Sequence, residues 1–417
     1  VTDPCPARPK QIELFRKSHP NIEVYVDQAS GGAIAKVLIQ LAAHAGPDLI
    51  DIYSPPHLQY YAQHGALLPI SEMCKESGIT NGMFWPQCRG WMEWKEEIYG
   101  IPTNAGTFVL FYNKDHFDRA GLAYPTADWT WENFLTAAKK LTLKSSDGRR
   151  IEQFGCYPYV FEHFIWQAGG DYWNSDLSRC TLDTPQALKA IRFLNDLRVT
   201  WRVAPTRADE QNFSWGGWGE GAINLFATGR VSMVDMGRWA IVTFRRYQKE
   251  GAAAGDKPLR YGVAELPHDV TRANWFVSRA TTINSECRHP KEAFEFLKFL
   301  TSPEYNRLIC EGGDGFPSIR AIAESDMFLQ DPNYPEEDQN RVHLDAVRWG
   351  RVEQISPHIK PAEYTKLRDD HYELLRAGEI QPERFCRDLT MKVNRAIEKA
   401  LAPRLALQEA TQGDIEP

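Results

Sequence analysis

The chain has 417 residues, about three times the common domain size, so at least two units with sizeable cores are expected. With 43% hydrophobic, 25% charged and 12% aromatic residues, the composition excludes a disordered chain, a collagen-like one and a small disulfide scaffold. The 48 basic residues stand against 55 acidic ones, giving a formal charge of −7 with no long basic run, which excludes nucleic acid as a partner class.

Taken in chain order, residues 9–19 place Ile12 and Phe15 on one helical face, and Pro20-Asn21 then breaks the pattern before the alternating Ile22, Val24 and Val26. Helix, then strand, is predicted. Ile34 to Ala43 reads as a second helix, and after Gly46-Pro47 the segment Asp48 to Tyr53 reads as a short buried strand. This alternation predicts an α/β layered lobe with a largely parallel sheet. Thr107 to Tyr112 is a continuous apolar and aromatic run, suited to a strand buried on both faces. From residue 130 onward helices dominate. Thr130 caps Trp131 to Leu141, and Thr184-Pro185 and Ser302-Pro303 each set a cap before a proline at the first helical position. In Pro290 to Leu300, apolar residues at spacings of three and four mark a helix packed on a core. The tail from Pro361 to Leu401 is helical with a break near Gly378 and Pro382. No apolar stretch reaches the roughly 20 residues that cross a bilayer.

Eight cysteines, at 5, 74, 88, 156, 180, 287, 310 and 386, lie at least fourteen residues apart, which excludes CxxC pairs and thiolate zinc clusters. In an oxidising compartment the neighbours in sequence, Cys74 with Cys88, Cys156 with Cys180 and Cys287 with Cys310, are the expected partners. The chain carries no GxSxG elbow, HExxH, Walker A loop or EF-hand loop, and no cofactor or metal is expected. Its acidic clusters, such as Glu93/Glu96/Glu97 and Asp369/Asp370, read as solvated faces. The start at Val1 suits a processed export product or an incomplete N-terminus.

Gly221-Ala-Ile-Asn-Leu-Phe-Ala-Thr-Gly-Arg-Val-Ser-Met-Val-Asp-Met-Gly-Arg-Trp239 resembles the "F..G+.AM...G.W" signature of family 1 extracellular solute-binding proteins, the maltose-binding-protein-like sugar subunits of ABC importers. Further blocks follow in the same order: Gly46 to Asp51 with Gly65 to Ile70, Tyr99 to Pro102 with Phe111 to Lys114, Thr130 to Phe134, and Gly315 to Ser318. The family's usual opening strand has no room in Val1 to Pro9, so the chain is expected to begin at that strand's end.

The resemblance implies an α/β, two-lobe fold of the type II periplasmic-binding-protein kind, with central sheets flanked by helices and a ligand cleft between the lobes. The lobes would be 1–110 plus 282–322, and 111–281 plus 323–417 with the helical tail. Crossings near Phe108 to Asn113, Ser278 to Asn284 and Arg320 would act as hinges, and ligand would favour the closed state. The implied role is a periplasmic or extracellular monomer that captures a sugar or oligosaccharide and presents it to ABC permease subunits at the membrane. A glycoside hydrolase and a receptor for a non-sugar ligand are the alternatives.

Read physically, the signature is a helix end, Gly229 as a left-handed cap, and a strand from Val231 that stops at Gly237. Such a handover aims Arg238 and Trp239 beyond the sheet edge, where ligands of open α/β sheets bind. Sugars offer C–H faces and rims of hydroxyls, so their sites combine aromatic plates with polar groups. The plates expected are Trp166, Trp173, Trp215, Trp218 and Trp239, the third and fourth from the glycine-rich run Phe213-Ser-Trp-Gly-Gly-Trp218. The polar partners expected are Tyr53, Ser54, Asn104, Arg238 and Arg279, with Asp314 of Gly312-Gly-Asp-Gly315 as a further candidate. Asp51, inside an apolar strand, reads as a structural carboxylate. Were Arg238 and Arg279 both to face the ligand, an acidic sugar would be an option, because guanidinium pairs bidentately with carboxylate.

Overall fold

The computed structural model describes residues 8–26, 33–210, 220–254, 258–331, 333–334 and 339–413. They divide into two compact units, 1–127 with 215–266 and 274–353, and 128–214 with 267–273 and 354–417.

The first unit holds two principal sheets, besides a short antiparallel pair of Glu93–Trp94 with Glu97–Ile98. The strands of the principal sheets are β1 (Leu49–Ile52), β2 (Gly100–Thr107), β3 (Val109–Asn113), β4 (Met233–Met236), β5 (Tyr261–Ala264), β6 (Asn274–Ile283) and β7 (Gly350–Arg351). β6 is the spine of the first sheet. β1 pairs antiparallel with its far half, Ile52 opposite Ala280, and β2 pairs antiparallel along its other side. β7 adds a short parallel pairing at Asn274 and Trp275. The second sheet has the order β4-β3-β5, all antiparallel.

A largely parallel sheet is therefore not what forms among the described residues. The long β6 returns between two strands that both run against it, and residues 22–26, expected as a strand, join no ladder. The run around Val109–Asn113 does become the central strand of its sheet, buried at every residue. Only Phe108 separates it from β2, so the chain steps from one sheet to the other across a single residue. The unit that holds the first sheet also contains 111–127 and 215–266. The expected lobe boundaries cut the chain along different lines.

The first sheet buries Ile50, Ile52 and Phe276 against Phe15, Leu58, Trp91, Phe296 and Leu297. Phe15 meets Phe296 edge to face at 5.0 Å, and Trp91 meets Phe276 at 6.2 Å. Each such side chain contributes about 1.5–3 kcal/mol by leaving water. The stripe of Pro290–Phe299 supplies Phe296 and Leu297, as its spacing predicts. Asp51 is held between Arg8 at 3.1 Å and the hydroxyl of Thr281 at 2.7 Å, a structural carboxylate as read.

The second unit is mainly helical: Trp131–Leu141, Glu162–Gln167, Pro185–Arg198, Pro361–Arg376 and Pro382–Gly413. The Thr130 hydroxyl accepts from Asn133 N, and the Asn133 side chain answers Thr130 N at 2.9 Å, closing a capping box. Thr184 and Ser302 cap their helices by accepting from Ala187 N and Tyr305 N, the latter in the first unit. The tail breaks where expected, with Gly378 at φ 75°. Inside this unit Arg376 bridges to Glu210, which accepts the Tyr157 hydroxyl at 2.7 Å.

The expected disulfides do not form. All seven described cysteines are free thiols, and Cys5 lies outside the described residues. Burial pushes the Cys88, Cys310 and Cys386 thiols up to about 12, and Cys88 Sγ faces the Ser278 hydroxyl at 3.9 Å.

Candidate functional site

The site is built on one face of the β2/β6 ladder in the first unit. Side chains alternate along a strand, so Asn104, Gly106 and then Phe108 share a face with Trp275, Val277 and Arg279. The register pairs Asn104 with Arg279 and Gly106 with Val277, while Phe108 stacks on Trp275 at 5.7 Å and 12°. A bulge falls between Arg279 and Ala280, leaving Thr103 as the extra residue of β2. Bulges re-aim side chains, and this one is clamped. Thr103 Oγ1 donates to Arg279 O at 3.0 Å and accepts from Arg279 Nε at 3.0 Å.

Trp239 lies over this face. It is half-buried, its ring meeting the edge of Phe108 at 5.4 Å. A Cβ on Gly237 would sit 1.9 Å from the indole, and one on Gly106 would sit 3.5 Å away. The ring thus rests on two bare backbone segments, which requires glycine at 237. The signature's geometry follows expectation here: Gly229 is left-handed at φ 71°, and β4 ends one residue before Gly237.

Arg238 does something else. It is fully buried, its Nη1 donating to Gly315 O at 2.8 Å, its Nε to Asn340 Oδ1 at 3.0 Å, and both terminal nitrogens reaching Cys310 O at 3.4–3.5 Å. Its plane lies 4.9 Å from the Phe328 ring. The expectation that Arg238 faces a ligand is corrected: its buried planar fork is engaged by the carbonyls of Cys310 and Gly315 and the Asn340 side chain, and the premise for an acidic sugar goes with it.

What Arg238 holds is the end of the helix Pro303–Gly312 and the turn after it. Gly313 and Gly315 both have positive φ, 77° and 79°, and a Cβ on Gly315 would meet Ala105 O at 2.6 Å. Arg245 Nη1 donates to Glu311 O at 2.6 Å, and Phe316 exchanges two backbone bonds of 2.8 Å with Ala105. Asp314, between the two glycines, is thereby set beside the ladder. Its carbonyl accepts from Asn104 Nδ2 at 3.4 Å, and its carboxylate Oδ2 lies 3.7 Å from Arg279 Nη1.

Of the remaining polar candidates, Tyr53 follows the last residue of β1, next in the sheet to Arg279, and is 44% exposed. Ser54 bonds its hydroxyl to His57 Nδ1 at 2.6 Å, and burial holds the His57 ring below its usual pKa. In the second unit, Trp166 and Trp173 are 4% and 5% exposed. Trp166 Nε1 donates to Asp171 at 3.2 Å, and Trp173 Nε1 to Gln354 O at 2.8 Å with the ring 5.2 Å from Tyr364. Both rings are spent on their own unit's packing. Trp215 and Trp218 lie outside the described residues.

Two features escaped sequence reading. The bulge that presents Arg279 leaves no residue signature, and Val277 looks like any strand valine. A cavity of about 490 Å3 elsewhere in the first unit, lined by Lys114, Tyr261, Gln339 and His343 among others, was also not foreseen. No cluster of three or more metal-ligating side chains occurs among the described residues.

The sequence profile described as bacterial extracellular solute-binding protein matches residues 5–307. A binding protein of Brucella abortus is 26% identical over 246 residues, 56% of this chain and 54% of that one, so the chain spans about half the length of such relatives. The mannitol-binding protein of Pseudomonas aeruginosa is 23% identical over 376 residues, 85% of this chain and 78% of its own. Among solved structures, an ABC substrate-binding protein of Listeria monocytogenes in complex with cycloalternan superposes with a TM-score of 0.82 at 22% identity, covering 94% of this chain and 96% of that one.

Proposed function

The chain belongs to the bacterial extracellular solute-binding protein family and has the type II two-lobe fold of periplasmic binding proteins, and from that premise we propose that it captures a sugar or oligosaccharide for an ABC importer. The observation that carries this reading is the half-buried Trp239 indole, seated on Gly237 and Gly106 beside the Asn104/Arg279 pair. A flat ring with polar groups at its margin suits a molecule that has C–H faces and a hydroxyl rim.

In this reading Trp239 is the stacking plate, and Asn104 and Tyr53 exchange hydrogen bonds with the hydroxyls. Trp215 and Trp218 are retained as further plates. The halves that close on the ligand are 1–110 with 282–322 and 111–281 with 323–417, pivoting at crossings near Phe108 to Asn113, Ser278 to Asn284 and Arg320. The protein works as a monomer outside the cytoplasm and hands its ligand to the permease subunits. The mannitol-binding relative and the cycloalternan-bound neighbour support a neutral carbohydrate or polyol as ligand.

Hydrolysis is the less favoured reading. It uses two carboxylates about 5–9 Å apart across the bond, whereas the row built here carries one, Asp314, already beside Arg279. A melting-temperature screen over mono- and oligosaccharides, with product analysis of each mixture, tests the proposal. Ligand-dependent stabilisation without turnover is the expected outcome. Turnover of any tested sugar, or no stabilisation across the panel, overturns it.

A further inference from the structure

Asp314 spends its charge without spending its hydrogen-bonding capacity. Its carboxylate accepts no hydrogen bond from any described residue, and Oδ2 is buried. Its charge meets the Arg279 guanidinium at 3.7 Å, too long for a hydrogen bond, and the side chain keeps 20% exposure. A carboxylate withdrawn from water without donors is costly, and a donor arriving with a ligand recovers that cost.

The turn that carries it is held firmly. It has two left-handed glycines and is tied by Arg238 to Gly315 O, by Arg245 to Glu311 O and by Asn104 to Asp314 O. This anchoring fixes Asp314 next to the one arginine on the ladder face.

On the reading of this face as the carbohydrate site, we infer that Asp314 is its specificity-determining residue: it accepts a ligand hydroxyl and, by neutralising Arg279, turns away acidic ligands. A sugar carboxylate approaching Arg279 meets a guanidinium whose charge is already balanced and a second anion beside it. A neutral ligand brings the O–H donors the carboxylate lacks. Like-charge juxtaposition is the repulsive half of such selectivity.

The test measures binding of a panel containing maltotriose, mannitol, glucose and galactose, with glucuronate and galacturonate as acidic counterparts, at low and high salt. It compares the wild-type protein with Asp314→Asn and Asp314→Ala, and ligand-free melting of each variant checks the fold. The wild type should bind a neutral member and reject the uronates. Asp314→Asn should weaken that neutral ligand about tenfold, and Asp314→Ala should admit a uronate at least tenfold more tightly at low salt, an advantage lost at high salt. Folded variants that bind the neutral ligand as the wild type does and still reject uronates overturn the inference alone. So does a wild type that prefers a uronate to its neutral parent. A wild type that binds no member of the panel overturns the carbohydrate reading itself.

Discussion

Trp239 of the sheet unit is used in the opposite way to Trp166 and Trp173 of the helical unit. In the helical unit Trp166 and Trp173 donate their indole N–H to Asp171 and to Gln354 O, and neighbouring rings cover them. In the sheet unit Trp239 lies half-buried on two glycines. The first arrangement uses an indole to hold helices together, and the second leaves part of one available. A tryptophan therefore declares its role by what lies beneath and beside it, and substitutions in the two units should report through different observables.

The largest expected effect belongs to the helical unit. Trp173→Ala should destabilise the protein by about 3–5 kcal/mol through lost packing and a lost hydrogen bond, while the fraction that folds binds ligand normally. Chemical denaturation beside calorimetric binding checks this, and weakened affinity at unchanged stability would erase the contrast. Next, Arg238→Met should cost about 3 kcal/mol, because the carbonyls of Cys310 and Gly315 lose their buried donor. If the loss appeared in affinity with stability unmoved, Arg238 would belong with the ligand after all.

Trp239→Ala should weaken ligand binding by roughly 1–3 kcal/mol with little change in ligand-free melting. Gly237→Ala sharpens the point, since its methyl would occupy the indole's seat and tilt the ring. Binding should fall although no aromatic atom has been removed.

A last contrast is one of pH rather than of substitution. Burial, aided by nearby Arg238, lowers His343 to about 3, and burial with Arg119 lowers His116 to about 4 against the pull of Asp115. Folded-state values below the unfolded 6.5 mean the unfolded chain takes up protons first. Their contribution is complete above pH 6.5 and declines as pH falls toward about 4 and 3, by at most about 1.4 kcal/mol per pH unit for each histidine. In the helical unit, burial raises Glu162 against the opposing pull of Arg368, so acid relieves that site. Amide exchange in β6 and in Pro361–Arg376, followed from pH 7 to 4, should lose protection first in β6. The reverse order would break the comparison.

Much of this was legible from local chemistry. The apolar run at Val109–Asn113 had to be buried on both faces, Thr130 and Thr184 had to cap, Gly229 had to turn left-handed, and the tail had to break near Gly378, because each outcome is decided within a few residues. The ladder face was less legible. Nothing near Arg238 in sequence shows that a helix end some 70 residues on supplies its acceptors, nor that Thr103 bulges where β6 pairs with it. The antiparallel sheet depends likewise on where β6 returns, a long-range outcome that alternation of elements does not encode. Sequence proximity also misled the cysteine pairing: Cys88 meets the Ser278 hydroxyl, Cys156 the Val203 carbonyl, and Cys386 has Cys180, not a sequence neighbour, nearby.

The lone residue between β2 and β3 has one more consequence. With Phe108 as the whole connector, any swivel of one sheet against the other is concentrated in the torsions on either side of it, and its ring must then slide across the Trp275 indole it stacks upon. Indole emission depends on such neighbours, so Trp275 is a built-in optical gauge of the swivel, readable in the unlabelled protein once the other tryptophans are masked by substitution.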